Sequence, residues 1–468
     1  MYSYHILETE VISVKRIICM FLVLCLMIGN FAPAAHATQI DAEIEDHLEQ
    51  NVSDISQKPE PTVEQVQEKE IETVTVMNSA AQDFTYTVSG ETTCTITGYT
   101  GNDADIVVPE MLDGYTVTSI GEDALSGKHF VKTVDLPDTV ESIGRAAFWN
   151  CAGLTRVSLP SSLKTIGSYS FNKCTALTEI EIPGSLGTIA SEAFTACSSL
   201  QKVTIGEGCK EIQWKAFAGC TALQELNLPS TLTNLDYCVF SGCTSLVSVE
   251  LPDSITSMGY GTFMNCTALE QINFPLNWTK TTRDNALHEG QIFIGCEKLK
   301  RLDIPEGVTT IPYKAFVGCS NFTTITLPST LKSIGFAAFY GCTGLTEIIL
   351  PEGLTTLDGS TFQNCDGLTE IVIPGSLLGI GSESFVSCNA LRKVTIEEGC
   401  KEIEREAFSG CTALEEVNMP STLTAIGTNA FSGCSALVSV ELPDAVTSIG
   451  YGAFRNCSAL EQINFPLN

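Results

Sequence analysis

The chain has 468 residues, with 55 Asp and Glu against 25 Lys and Arg and a formal net charge of −30 at pH 7. A molecule this acidic repels nucleic-acid phosphates and anionic lipid headgroups, so nucleic acid is excluded as an expected partner. Its length ordinarily predicts roughly two to four domains, unless the chain is a repeat array that grows without separate cores.

The N-terminus has the pattern of an export signal. Lys15 and Arg16 precede an apolar run from Ile17 to Ile28, and Ala35-His36-Ala37 forms a small-x-small cleavage site. The apolar run is too short to cross a bilayer as an ordinary helix. We therefore predict a signal peptide over 1–37, a secreted or cell-surface product, and no transmembrane segment after cleavage.

Two short segments come after the signal. Residues 38–80 contain no aromatic residue and eleven acids against two lysines, which predicts an acidic disordered linker. A short amphipathic helix around 40–52 remains an alternative. In 81–113, the alternation in Phe84–Val88 and Thr95–Tyr99 predicts a β hairpin.

The rest of the chain, 114–468, is governed by a repeat. A phenylalanine recurs every 23 residues, with one slip of seven, and a cysteine lies three residues after each one. Such a period predicts a solenoid whose units stack on their neighbours. The phenylalanines are Phe148, Phe171, Phe194, Phe217, Phe240, Phe263, Phe293, Phe316, Phe339, Phe362, Phe385, Phe408, Phe431 and Phe454.

Within one unit, the apolar positions predict a strand and a turn. Leu154, Val157 and Leu159 alternate with polar residues as in a short strand with one buried face. Pro160 ends the strand because proline lacks the N–H that a ladder requires. No segment is long enough for an ordinary helix, so turns, 3₁₀ pieces or a second short strand complete each coil.

The pattern Leu-x-x-Ile/Val-x-Leu-Pro-x-x-Leu-x-x-Ile-Gly-x-x-Ala-Phe-x-x-Cys resembles the BspA-like class of bacterial leucine-rich repeats over about three quarters of the chain. The resemblance implies a leucine-rich-repeat solenoid of the α/β horseshoe class, predominantly β, with one short parallel strand per coil. The hairpin before it resembles the N-terminal cap of such arrays. The family is associated with secreted or surface proteins of host-dwelling bacteria, some of them adhesins that bind host matrix proteins.

A longer period lies above the first. Val203-Thr-Ile205 recurs as Val394-Thr-Ile396, and Ser248–Asp253 recurs as Ser439–Asp444, at an offset of 191 residues, which indicates a block duplication. A solenoid requires a polar cap over its last coil, and none is visible before Asn468. Either the chain is truncated there, which we favour, or a partner or another copy covers the last coil.

The recurring cysteines lie one to a coil and in register. Their parallel Cβ vectors fit a disulfide dihedral poorly, so we expect free, packed thiols. They are accompanied by no C-x-x-C pair or histidine, so no metal site is predicted. No histidine cluster, nucleophile elbow or phosphate-binding glycine loop occurs, so we predict neither an enzyme nor a cofactor.

The outward positions of the strands form two polar columns of mixed charge. They lack the aromatic residues of tight interfaces, and Ile349 and Val372 alone break their polarity. The columns contain Arg156, Glu179, Lys202, Glu225, Arg301, Glu347, Glu370, Lys393 and Glu416 in one, and Ser158, Glu181, Asn227, Glu250, Asp303, Asn418 and Glu441 in the other.

The position three residues before each phenylalanine is a better candidate for a binding site. It is aromatic on several coils around an enlarged, irregular coil at 275–293, which carries Trp278, Lys280, Arg283 and His288. Insertions in repeat arrays often lie on the binding face. The candidate ligand-binding residues are Trp214, Tyr237, Tyr260, Trp278, Tyr313 and Phe336.

The sequence as a whole predicts a secreted or cell-surface, non-catalytic binding module for an extracellular protein or glycan. Many shallow contacts would add along a rigid array. The alternatives are a structural envelope protein, or the recognition arm of a larger protein.

Overall fold

The strand-and-turn pattern of the repeat appears directly in the computed structural model, which describes residues 80–282 and 290–465. The predicted signal peptide and all but the last residue of the predicted linker lie outside the described residues. From Asp105 onward, the coils contribute short strands to a first ladder and to a second ladder, and the strands within each ladder pair in parallel with those of the next coil. The chain is therefore a β-solenoid.

The first strand of each coil comes from the alternating segment. In Arg156–Ser158, Val157 is buried while its two neighbours are exposed, as the period of two requires. The first-ladder strands are Asp105–Val107, Thr133–Asp135, Arg156–Ser158, Glu179–Ile182, Lys202–Ile205, Glu225–Asn227, Ser248–Val249, Gln271–Ile272, Arg301–Asp303, Thr324–Thr326, Glu370–Ile373, Lys393–Ile396, Glu416–Asn418, Ser439–Glu441 and Gln462–Asn464. Glu347 joins this ladder through a single bridge to Thr324.

A proline turn connects the two strands of a coil. The amide of Leu163 donates to the carbonyl of Pro160 at 3.1 Å, which closes the turn and directs the chain into Thr165–Ile166. The second-ladder strands are Tyr115–Ile120, Ser142–Ile143, Thr165–Ile166, Thr188–Ile189, Glu211–Ile212, Asn234–Leu235, Ser257–Gly259, Lys280–Thr282, Thr310–Ile311, Ser333–Ile334, Thr356–Leu357, Gly379–Ile380, Glu402–Ile403, Ala425–Ile426 and Ser448–Ile449.

An antiparallel hairpin precedes the ladders. After a 3₁₀ turn at Ala81–Asp83, strand Phe84–Val88 pairs with Thr93–Tyr99. Thr93–Tyr99 then pairs in parallel with Tyr115–Ile120, and the short strand Met111–Leu112 pairs antiparallel with the same partner. The hairpin is therefore continuous with the second ladder, and the first ladder begins at Asp105, inside the range 81–113 predicted as a cap.

The recurring phenylalanines form a buried stack. Phe171 is 0% exposed, and its ring centroid lies 4.9 Å from that of Phe148 and 5.1 Å from that of Phe194, with the planes within 4° of parallel. Each buried ring contributes about 2–3 kcal/mol by transfer from water. No single coil could bury its own rings, so the stack stabilises the coils collectively.

Two residues with left-handed backbone conformation flank each recurring phenylalanine. One lies two positions before it, and the other lies two positions after it. Around Phe217 these are Lys215, with φ of 53°, and Gly219, with φ of 73°. The amide of Lys215 donates to the carbonyl of Tyr237 on the next coil at 3.0 Å, so the unusual backbone aims its N–H along the solenoid axis. The sequence analysis missed this feature, because lysine and glutamate occupy some of these positions.

Glycine at the corner of a coil serves a different purpose. Gly167 has no positive φ, but a Cβ there would lie 2.5 Å from the backbone nitrogen of Arg145 on the preceding coil. The corner is therefore a point of close backbone approach between coils.

The ladder cysteines are buried thiols with a hydrogen-bonding role. The Sγ of Cys220 donates to the carbonyl of Phe194 at 3.3 Å, and the Sγ of Cys174 donates to that of Phe148 at 3.2 Å. Burial raises the pKa of both thiols well above its usual value. All cysteines in the described ranges are free in the structure, and a ladder cysteine such as Cys220 acts as a small core residue that bonds one coil to the preceding one.

Candidate binding surfaces

Five of the predicted site residues lie three positions before a buried phenylalanine, on three consecutive coils and on two more beyond the irregular coil. We call this set the aromatic column: Trp214, Tyr237, Tyr260, Tyr313 and Phe336. The backbone fixes the register. The amide of Cys238 donates to the carbonyl of Tyr260 at 2.8 Å, and the amide of Lys314 donates to that of Phe336 at 3.0 Å. Gly290 holds the equivalent place on the irregular coil, where a Cβ would lie 2.2 Å from the carbonyl oxygen of Lys314.

The column is most accessible at Tyr313 and Phe336. Their side chains are 36% and 41% exposed, and their rings stack at 5.8 Å with an interplanar angle of 17°. Trp214, Tyr237 and Tyr260 are half-buried. The structure thus brings five of the six predicted site residues into one column and presents two of them as an exposed aromatic pair.

Lysines border the aromatic rings. The Nζ of Lys314 lies 5.1 Å from the ring centroid of Tyr313, and the Nζ of Lys215 lies 4.7 Å from that of Trp214. A cation over a ring face is attracted to its negative quadrupole, so these lysines hold the rings in place and add positive charge to an acidic molecule. The only sequence signal for these cation–π contacts is the lysine that follows Trp214 and the lysine that follows Tyr313.

Trp278 is a correction to the sequence analysis, because it is 1% exposed and unavailable to a partner. Its ring packs 4.9 Å from that of Phe274 and 6.1 Å from that of Phe316, and its indole N–H donates to the carbonyl of Lys280 at 2.8 Å. The reason is register. Trp278 lies three residues after Pro275, and its amide donates to the carbonyl of that proline at 3.1 Å, so it takes the core position of the leucine in regular coils.

The irregular coil retains the regular strand pairing up to its insertion. Lys280–Thr282 pairs in parallel with Ser257–Gly259, and Thr281 donates its hydroxyl to the carbonyl of Tyr313 at 2.7 Å. Arg283 and His288, which the sequence analysis placed on the binding loop, lie outside the described residues.

The outward face of the first-ladder strands is a second exposed surface, and we call it the strand face. Its bases are paired with acids. Lys202 lies 3.0 Å from Glu225, and Lys393 lies 2.9 Å from Glu416. Hydrogen bonding to Glu225 raises the pKa of Lys202, and hydrogen bonding to Lys393 lowers the pKa of Glu416. The remaining unpaired charge on the strand face is therefore mainly negative.

Two aliphatic side chains interrupt this polar face on adjacent coils. Ile349 is 84% exposed and Val372 is 51% exposed. Ile349 lines an open depression of about 710 Å³ that also includes Thr326, Leu327 and Pro351. Ile349 lies two residues after Glu347, the single bridge residue of its coil, and exposure this high is unusual for isoleucine, which is among the residues most often buried.

Catalytic or metal-binding groupings are not apparent in the part of the chain that the structure describes. Across 80–282 and 290–465, His, Cys, Asp and Glu side chains form no group of three that could hold a metal ion. Within the same ranges no helix has the length and apolarity to cross a membrane. The described coils present surface to solvent.

The protein is a leucine-rich-repeat protein, because it has coils of 23 residues, a parallel strand in each coil and a buried stack of phenylalanine rings. The chain matches the family described as "BspA type Leucine rich repeat region (6 copies)" over residues 110–221, 187–289, 289–415 and 379–468, and it belongs to that family. The sequence-based assignment of family and fold is confirmed. No curated protein matches the chain.

Solved structures include similar bacterial proteins. A leucine-rich repeat protein from Bacteroides ovatus is 32% identical with a TM-score of 0.63, and the match covers 79% of this chain and 98% of that one. A leucine rich cell surface protein from Faecalibacterium prausnitzii is 30% identical with a TM-score of 0.43, covering 72% and 93% of the two chains. Membership in the BspA type family, together with the similarity to the Bacteroides ovatus protein, is consistent with a non-catalytic binding module.

Proposed function

We propose that this protein is exported, stays at or near the bacterial surface, and binds an extracellular protein or glycan through the aromatic column. The proposal assigns it no reaction. The rigid stack of coils sets the spacing of the contacts, so weak contacts along the column add without further loss of chain entropy.

The exposed stacked pair of Tyr313 and Phe336 carries this proposal. The fold does not require aromatic rings at this position, because the same column holds Ser168, Ser191 and Ser382 on other coils. Aromatic side chains supply large contact areas at low conformational cost and dominate binding hot spots. Rings that the scaffold can do without and that water can reach are therefore best explained by a ligand.

The test begins with the chain from Thr38 onward, immobilised and exposed to arrays of extracellular-matrix proteins and glycans. A ligand found there is titrated against a Tyr313→Ser/Phe336→Ser variant, since serine is native to the column. We expect at least a tenfold loss of affinity, about 1.4 kcal/mol or more. Trp149→Ser is the control, because Trp149 is 37% exposed but lies outside the column. Unchanged affinity in the double variant, with an intact far-UV spectrum, would refute the proposal.

A further inference from the structure

We infer that the strand face around Ile349 and Val372 is a second interaction surface, separate from the aromatic column, which accepts an apolar side chain flanked by lysine or arginine on an extracellular protein segment. The inference goes beyond the proposed function. It rests on a comparison of the two duplicated blocks within the chain and on the charges that surround the two aliphatic residues.

The block duplication supplies an internal reference for this surface. At the offset of 191 residues, Ser158 is the counterpart of Ile349 and Glu181 is the counterpart of Val372. Both counterparts are exposed on first-ladder strands, so the fold accepts polar residues at these places of a coil. Stacking of the coils therefore does not explain the aliphatic pair in the second block.

The two positions form one patch. They are 23 residues apart and hold the same place in neighbouring coils, Val372 within strand Glu370–Ile373 and Ile349 two residues after the bridge residue Glu347. Ile349 also borders the 710 Å³ depression, whose apolar floor includes Leu327 and Pro351. An inserted side chain would thus meet aliphatic surface on several sides.

The rim of this patch is acidic. Glu347, Glu352 and Glu370 line it, and none of them forms an ion pair within the described ranges. Among the nearby bases, Arg301 lies 3.0 Å from Asp303 and Lys393 lies 2.9 Å from Glu416. Lys332 donates from its Nζ to the carbonyl of Gly353 at 3.3 Å, so three unpaired carboxylates outnumber this one ammonium at the rim. The unpaired negative charge favours a segment with lysine or arginine on either side of its apolar anchor.

The same charge argues against two other occupants. The predicted linker at 38–80 carries eleven acids against two lysines, and a second copy of the chain carries the same net charge of −30. Either would bring carboxylates to an acidic rim. A basic segment of another protein fits the chemistry better.

The probe for this surface is a fluorescein-labelled peptide with the sequence Gly-Lys-Lys-Leu-Phe-Leu-Lys-Lys-Gly, with binding followed by fluorescence anisotropy at low salt. Two companion peptides separate the forces: one has glutamate for lysine, and the other has serine for the apolar triplet. We expect the probe to bind with a dissociation constant below ~1 mM and each companion to bind about tenfold more weakly.

Two variants locate the binding on the chain. Ile349→Ser/Val372→Glu introduces the residue types of the first block, which the scaffold accepts, and we expect about a tenfold loss of affinity. The reciprocal variant, Arg156→Glu/Ser158→Ile/Glu181→Val, rebuilds the patch in the first block and should add a second site per chain. Val438→Thr is the control, because Val438 is 49% exposed and threonine is the residue of many coils at that position.

Several results would overturn the inference. They are no binding of the probe at ~1 mM, equal binding of the serine companion, or unchanged affinity in Ile349→Ser/Val372→Glu. A loss confined to Tyr313→Ser/Phe336→Ser would assign the peptide to the aromatic column instead. Self-association that disappears in Ile349→Ser/Val372→Glu, without peptide binding, would assign the patch to a second copy.

Discussion

Phe336 and Phe339 allow the same substitution to be made at a surface position and a core position of one coil. Phe339 is 0% exposed and stacks between Phe316 at 5.3 Å and Phe362 at 5.2 Å. Its replacement by alanine removes two ring contacts and leaves a cavity that neighbouring coils cannot close. The expected loss is about 3–5 kcal/mol. Phe336→Ala leaves no closed cavity, since that side chain is 41% exposed and stacks on Tyr313 alone, so we expect about 1 kcal/mol.

Urea denaturation followed by far-UV circular dichroism measures both losses. Repeat arrays lose cooperativity when one interface weakens, so Phe339→Ala should also broaden the transition or split it in two. Phe336→Ala should lower the midpoint slightly and leave the slope unchanged. Equal losses of unfolding free energy in the two variants would refute the distinction between the buried phenylalanine stack, which the fold requires, and the aromatic column, which it does not.

Three other outcomes are expected from the structure. Hydrogen bonds from the amide and hydroxyl of Ser230 lower the pKa of Glu207. The stability that the ionised carboxylate contributes is therefore fully present above the pKa of about 4.3 in the unfolded chain. It is lost as the pH falls through the lower pKa of the folded chain. Urea midpoints should therefore fall less steeply on acidification in Ser230→Ala than in the native chain. Gly167→Ala should destabilise the protein because the new Cβ would lie 2.5 Å from a backbone nitrogen. Gly187→Ala should not, because no atom lies within 4 Å of a Cβ there. Equal urea midpoints for the two variants would contradict this expectation. Cys220 should resist a thiol reagent at pH 8 until the chain is unfolded in guanidinium, because burial keeps it protonated, and rapid labelling of the native protein, read by mass spectrometry, would oppose that expectation.

The period of 23 predicted most of the fold, because each position of a coil meets the same environment on the coils beside it. One apolar pattern and one proline therefore sufficed for the strand, the turn and the buried ring. The left-handed residues two before and two after each phenylalanine were not foreseen, since Lys215 and Glu192 carry no glycine signal there. Their conformation is imposed by hydrogen bonding between coils, which one unit of sequence does not display.

The candidate site was predictable to the extent that register separates core from surface. The offset of Phe336 from the buried Phe339 places its side chain at the surface, whereas the offset of Trp278 from Pro275 places that ring in the core. The same reasoning makes the duplication informative about function. Lys202 and Lys393 hold the same position in the two blocks, and they form equivalent ion pairs with Glu225 and Glu416 on the next coil. Such agreement is expected where contacts between stacked coils determine the residue type. Where the blocks differ at an exposed position, as at Ile349, the fold accepts either residue type, so the exposed aliphatic side chain requires a cause outside the fold.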